Sequence, residues 1–521
     1  MRRHDGLPAR AFPDLTRAVP TLLACALLAA PFLLAAIPPL TDVPGHMAAA
    51  TIAAHAGDDP ALGRLFAFRW HLVPNLGTDL AVAALQGALG VSLAVRVVAA
   101  AIPALLAAGI LLLARTLNPR GAAAAPWALV FVWCFPLNTG FLNYMLGVAG
   151  ALLGLSAWIR LDGRPRLREA ATWAYVPLLF LCHVVAGCLF VLLAGSREIA
   201  PLGGLRALAL VRSRDGWRRL APLLRRVRPL LCALPILVAW RLDAASFAGR
   251  NRISLRAKGD AILMILRDQD MALDVASLCL ACAVLIVGWR RGARPHPAVT
   301  PALLALCVLF AVMPSSLSGS SYADERLLPL LPMLAFATQD WSGVRPRLAR
   351  AVSLCGLALL AVRLAATAAG FVAYDASYRA EMAALPRIAE HARVLVLNTR
   401  ECSFARHWRG DRLDHVGDLA IVFRRAWTNA QWDVDGAHLL QILYRPSPAF
   451  FDDPSQYVWP GTCGGLAHRQ PTIHDALAAV PFDGIDDLWL IDTALPDGYR
   501  NPRLVAQWHD GNSTLYSVTP R

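Results

Sequence analysis

Along the chain, long runs of apolar residues of bilayer-crossing length alternate with short, arginine-rich polar connections. The first run, 19–37, follows Arg2, Arg3, Arg10 and Arg17 and ends in IPPLTD. That ending lacks the small-x-small pattern of a signal cleavage site, so the run is expected to stay as a first helix. Residues 41–90 then form a long excursion, in which GHMAAATIAAHA and LAVAALQGALG are expected to be interfacial or partly inserted helices. Next come a span at about 93–115, two short helices within 125–158 broken at FPLNTGFLNY, and two short tilted helices within 171–195 that turn near His183. Further spans are expected at about 229–245, 272–289, 300–314, 327–340 and 351–373. With the arginine-rich ends placed in the cytoplasm, about eleven spans result, the N-terminus inside and the C-terminus outside.

From about residue 375 the pattern changes to that of a folded domain outside the bilayer. VLVLNT (393–398) and DLWLIDT (487–493) predict buried strands, and the alternating arms around DGN in LVAQWHDGNSTLYSV predict a hairpin. DHVGDLAIVFRRA predicts a helix with Asp414 as a candidate cap. The expected fold is therefore an α-helical polytopic membrane protein over 1–374, with the long first outer loop 41–90, followed by an extracytoplasmic α/β domain over 375–521.

Composition agrees with this picture: 57% of the residues are hydrophobic and 17% charged. The net charge of +14 is carried by arginines in short connections, where they orient the chain, so no nucleic-acid partner is needed to explain them. The almost exclusive use of Arg over Lys, with abundant Ala, Gly and Pro, suggests a GC-rich bacterial genome. Nine of the 11 cysteines lie in apolar runs and read as small buried hydrophobes; CLAC at 279–282 has no nearby His or second pair that would make it a zinc site. Cys402 and Cys463 are the two in the polar region, and in an oxidising periplasm they are candidates for a disulfide.

Charge also appears where the topology rule disfavours it. The outer segment after Trp240 carries Arg241, Arg250, Arg252, Arg256, Lys258 and Arg267. Either Asp243, Asp260, Asp268, Asp270 and Asp274 balance these cations on a solvated surface, or the loop receives an anionic headgroup, with Arg326 of YADERLLP joining it. On the same face, Asp42 precedes Pro44 and a helical stretch, which fits a helix N-cap, with His46 one turn on. An acid at the bilayer surface is also a candidate for function. His183 reads either as a polar residue at a helix turn or as a contact to lipid or sugar; Asn143 and Tyr144 suit a sugar or a helix-helix contact equally.

An acid in a long first outer loop, many spans with short paired helices and a C-terminal extracytoplasmic domain resemble the GT-C superfamily of integral membrane glycosyltransferases. PPLTDVPGH, VPNLGTDL, GFLNYMLGVAGALLGLSAW and DERLLPLLPML are similar to segments of its poorly characterised bacterial members. The resemblance implies transfer of a sugar from a polyprenyl-phosphate-linked donor to a glycan, glycolipid or protein acceptor, at the outer face of the bacterial inner membrane. Asp42 would be the general base of an inverting displacement, and His46 would orient it, bind sugar or help hold a divalent ion. Arg250, Arg252, Arg256, Lys258 and Arg326 would face the departing lipid phosphate, Lys258 and Arg326 foremost. The sequence has one acid at the start of this loop rather than an adjacent pair, so no metal role is carried onto Asp58 and Asp59 of GDDP; no cofactor is assigned, and an Asp/His group able to bind a divalent cation is left open. The competing readings are a lipid-linked saccharide transporter, which should place charge at mid-membrane on broken helices, and a non-catalytic assembly or glycan-binding subunit.

Overall fold

The computed structural model describes residues 15–203, 214–243, 253, 255–316, 321–400, 406–409, 412–434, 436–450, 454–461 and 471–520. Arg250, Arg252, Cys402 and Cys463 lie outside the described residues. Helices follow the apolar runs. The first is α1 (Leu15–Ala29); α2 (Val43–His55) and α3 (Gly77–Leu89) fill the first excursion, and α4 (Val91–Leu117) returns from it. The stretch at FPLNTGFLNY resolves into a short helix, Phe135–Thr139, ended by Gly140 in the left-handed region (φ 99°). A 19-residue helix, α5 (Leu142–Arg160), follows, so one long helix and two short ones replace the expected pair of short helices.

α6 (Pro165–Cys182) and α7 (Val184–Ile199) break at His183, as the basic flanks required. α5 presents Gly147, Gly150 and Gly154 to these two helices, and a Cβ on Gly147 would fall 2.4 Å from Ala186 Cβ, so small residues set how closely the helices approach. α8 (Met271–Arg290), α9 (Thr300–Val312), α10 (Leu330–Thr338) and α11 (Pro346–Met382) complete the helical part.

Among the described residues, five helices are long and apolar enough to cross a membrane: Val91–Leu117, Leu142–Arg160, Val184–Leu202, Met271–Arg290 and Pro346–Arg387. The last two bounds that exceed α7 and α11 include 3-10 turns continuing them. Ala18–Leu33, Ala125–Thr139 and Thr300–Val312 are shorter apolar helices. The other expected spans are short or irregular, such as the nine-residue α10.

The C-terminal domain is a mixed sheet. Its central strand β2 (Arg393–Thr399) pairs in parallel with β3 (Trp427–Thr428), β5 (Tyr457–Val458) and β6 (Asp487–Ile491); β6 then pairs antiparallel with β8 (Ser513–Val518), and β8 with β7 (Leu504–Asp510). Both expected strands and the hairpin are present. The predicted helix from Asp414 shrinks to a 3-10 turn, Val416–Asp418, and α12 (Leu419–Arg424). Asp414 does not cap it, because its carboxylate accepts from Tyr457 Oη and from Arg400 at 3.3 Å. The helix α11 crosses the expected boundary at 374/375 without a break and is fastened to the domain beyond. Tyr378 Oη donates to the Arg412 carbonyl at 2.5 Å, and Ser513 Oγ donates to Glu381 at 2.5 Å.

The first excursion docks on this domain. A strand, β1 (Phe66–Phe68), pairs antiparallel with β4 (Leu440–Ile442), and Ala48, Ile52, Leu62 and Phe66 share an apolar cluster with Ile421, Trp427, Leu440 and Ile442. Each large side chain fully buried in such a cluster contributes roughly 1.5–3 kcal/mol. The face of α2 that reads as lipid-facing is thus covered by protein. Asp59 fastens the same contact: its carboxylate accepts from the backbone N–H of Ala61 and Leu62, from His391 Nε2 at 2.8 Å and from Arg425 at 3.1 Å.

The His391 hydrogen bond foremost, with these others, holds the Asp59 carboxyl well below the usual carboxylate range. A pKa depressed on folding adds stability that is complete above the ordinary carboxylate range and is lost as pH falls through the folded value. Hydrogen exchange across β1 and β4 is therefore expected to stay slow at neutral pH and to accelerate in strong acid. In Asp59→Asn it should be fast already at neutral pH.

Candidate active site

Asp42 occupies the N-cap position of α2, yet its side chain makes no capping hydrogen bond. The start of the helix is held by the backbone instead: Asp42 N–H donates to the Thr139 carbonyl at 2.9 Å, and the Asp42 carbonyl accepts from His46 N–H at 2.9 Å. The carboxylate is therefore positioned without being used as a cap. Gly140 is required beside it, since a Cβ there would lie 3.0 Å from both Asp42 Cβ and Asp42 N.

Arg326 approaches from the other end of the chain. It lies in the 3-10 turn Glu325–Leu327, its guanidinium stacks 4.1 Å from the Phe141 ring, and its carbonyl accepts from Tyr144 Oη at 2.6 Å. Burial works against the guanidinium's charge, and Tyr144, Asp42 and Glu325 work for it. Burial, with Asp324 beside it, pushes the Glu325 carboxyl up to about 8.

The C-terminal domain closes the site. His415 Nε2 lies 4.0 Å from Asp42 Oδ1, and the Trp432 ring packs edge-on against His415 at 4.6 Å and against His46 at 5.9 Å. Gly45 leaves room for that ring: a Cβ would fall 2.1 Å from Trp432 Cζ3. His46 Nε2 reaches the Gly140 carbonyl at 3.3 Å, and His46 lines two adjoining clefts that also share Ala49, Phe68 and Asp79. Burial raises the Asp79 carboxyl, against the pull of His46 and of Asn143. Burial, and then His46, lower His438 to about 4, so His438 is neutral there at physiological pH.

The chain as a whole is similar to two solved structures. One is the crystal structure of ArnT from Cupriavidus metallidurans bound to undecaprenyl phosphate, 13% identical, with 98% of this chain and 100% of that chain covered and a TM-score of 0.46. The other is ArnT from the same organism in the apo state, 15% identical over 98% and 100%, with a TM-score of 0.45. No protein-family model and no curated protein matches the sequence.

Of the residues singled out from sequence, the fold brings together Asp42, Arg326, Tyr144 and, one turn away, His46. Asn143 is a pin: its Oδ1 accepts from the N–H and Oγ1 of Thr78 at 2.5 and 2.8 Å, and its Nδ2 donates to the Asn75 carbonyl and to Asp79. His183 is the N-cap of α7, accepting from Val185 N–H, with its ring 5.3 Å from that of Tyr144. Arg256 is exposed on the helix Leu255–Leu263.

Lys258 is placed differently from the expectation. Its ammonium donates to the carbonyls of Phe310 and Met313 at 2.5 and 2.8 Å and to Asp324 at 2.9 Å, so all three N–H groups are held by the protein rather than facing a phosphate. Asp268 and Asp274 do not form a solvated balance to the basic loop either: both are buried, paired with Arg412 at 2.5 Å and Arg363 at 2.6 Å. Lys258→Met leaves Asp324, 1% exposed, without its cation. It is expected to cost roughly 3–5 kcal/mol, read as a lower melting temperature in a bilayer mimic.

Sequence reasoning did not single out His415, Trp432 or His438. Among the described residues no group of three or more His, Cys, Asp or Glu side chains is arranged to hold a metal ion.

Proposed function

We propose that this protein is a membrane glycosyltransferase. It transfers a sugar from a polyprenyl-phosphate-linked donor to a hydroxyl of a glycan, glycolipid or protein acceptor at the outer face of the bacterial inner membrane. The single observation that carries the reading is the convergence of Asp42 and Arg326. The Asp42 side chain makes no capping hydrogen bond, and its charge and that of the Arg326 guanidinium act on one another.

In this mechanism the acceptor O–H bond breaks and its proton passes to the Asp42 carboxylate while the acceptor oxygen bonds to the anomeric carbon. The bond from that carbon to the phosphate oxygen breaks on the opposite side, and its electron pair leaves with the phosphate. Inversion follows from the single displacement. Arg326 supplies the fixed cation that the developing negative charge needs. The clefts beside His46 and Asp79 carry hydrogen-bonding groups and aromatic rings without a Lys or Arg in their lining, which suits an uncharged sugar or acceptor better than a phosphate.

The test is the purified protein in liposomes with a panel of radiolabelled polyprenyl-phosphate sugars and a cell-envelope lipid extract. Release of polyprenyl phosphate with label on a new product supports transfer. Movement of intact lipid-linked sugar across the bilayer without product identifies a transporter, and binding without either identifies a non-catalytic subunit.

A further inference from the structure

His415 comes from the C-terminal domain and faces the Asp42 carboxylate. Its Nδ1 lies 2.8 Å from the Ala430 carbonyl oxygen, an acceptor that demands an N–H at Nδ1 in every protonation state of the ring. Protonation at Nε2 therefore decides its charge, and that nitrogen is 4.0 Å from Asp42 Oδ1. On the other side, Asp418 Oδ2 is 3.7 Å from Nδ1. Asp418 is wholly buried, and its other oxygen accepts from Thr428 Oγ1. A buried carboxylate is costly unless a cation or hydrogen bonds compensate it. The His415 side chain, 5% exposed and packed under the Trp432 ring, stands between two acids with little water to screen them.

We propose that His415 is an imidazolium that orients Asp42 and keeps it ionised, the positioning residue supplied to the base by the C-terminal domain. The inference rests on the reading of Asp42 as the base. The donor adds a phosphate anion on the far side of the anomeric carbon, and a further negative charge near the site favours protonation of the carboxylate, which could then no longer take the acceptor's proton. Arg326 neutralises the phosphate; His415 keeps the carboxylate charged. Among the described residues, the groups that face His415 include Asp42 from the start of α2, Asp418 from the turn before α12, and the Ala430 carbonyl and Trp432 from the segment after β3. His46 lies across the Trp432 ring and Arg326 across Asp42. Two neighbouring carboxylates raise an imidazole pKa, so the pairing is complete below the ordinary histidine range and is lost as pH rises through the raised value.

The test is solid-state nitrogen NMR of the full chain in lipid bilayers with 15N-labelled histidine, titrated with pH. His415→Gln identifies the His415 signal by its disappearance. The expected His415 titration lies above the ordinary value of about 6.5 and falls by about one pH unit or more in Asp42→Asn. An unchanged titration in Asp42→Asn, or a His415 already neutral at about pH 6, overturns the pairing. Should His415→Gln not fold, the dipolar coupling between 15N-histidine and 13Cγ-labelled aspartate in the wild type, compared with Asp42→Asn, decides instead. A coupling lost in Asp42→Asn supports the contact, and its absence from the wild type overturns it. Turnover plays no part in these readouts. Loss of transfer in Asp42→Asn with His415 unmoved sinks the pairing alone, and a moved His415 with transfer intact sinks the base assignment.

Discussion

Asp42→Asn is expected to lower sugar transfer by about 10²–10⁴-fold, the range for loss of a positioned general base, with little change in melting temperature. Both halves follow from one observation. Were the Asp42 carboxylate a working N-cap, an isosteric amide would still cap, and a larger truncation would cost about 1 kcal/mol. The side chain makes no capping bond, and the first turn of α2 is tied down through backbone groups that the substitution does not touch. The amide keeps the shape of the carboxylate and lacks its basicity. Transfer rates and a thermal melt on the same preparation check the prediction. Wild-type turnover in a well-folded variant would remove Asp42 from the mechanism.

Arg326→Gln should have the second largest effect, a fall of about 10²–10³-fold in kcat if its charge is needed mainly as the phosphate departs. The loss is predicted in the rate more than in the apparent affinity, because the negative charge on the phosphate grows as the bond breaks. The hydrogen bond from Tyr144 goes to the Arg326 backbone carbonyl, which the substitution leaves in place. Single-turnover kinetics separate the two contributions; an equal fall in binding and rate would mean that Arg326 holds the ground state instead.

Much of the fold could be read from the chain because its cause is local. Apolar runs of bilayer length gave the helices, the basic flanks pointed to the break at His183, short apolar segments gave the buried strands β2 and β6, and alternating arms gave the β7–β8 hairpin. What escaped was set by partners distant in sequence. The apolar residues of α2 look the same whether lipid or protein covers them, and nothing near Gly45 announces that Gln431 will bond to its carbonyl or that the Trp432 ring will fill the space left by its missing side chain. The site was legible in part for the same reason. Asp42 stands out as an acid just past an apolar run and Arg326 as a cation on an unexpected face, whereas Lys258 looked equally available because Asp324 is its neighbour only in the fold. His415 was hidden within DHVGD, a stretch that reads locally as a helix start.

The docking of the first excursion onto the last domain also sets a schedule for biosynthesis. Gly45 and its partner Gln431 are 386 residues apart, which at ribosomal speeds of about 5–20 residues per second puts roughly 20–80 s between their appearances. Throughout that interval Phe66–Phe68 lacks the strand with which it pairs, and Ala48, Ile52 and Phe66 lack the cover that Ile421, Trp427 and Ile442 later provide. The apolar residues of the first excursion therefore gain their native cover only when the C-terminal segment has been made.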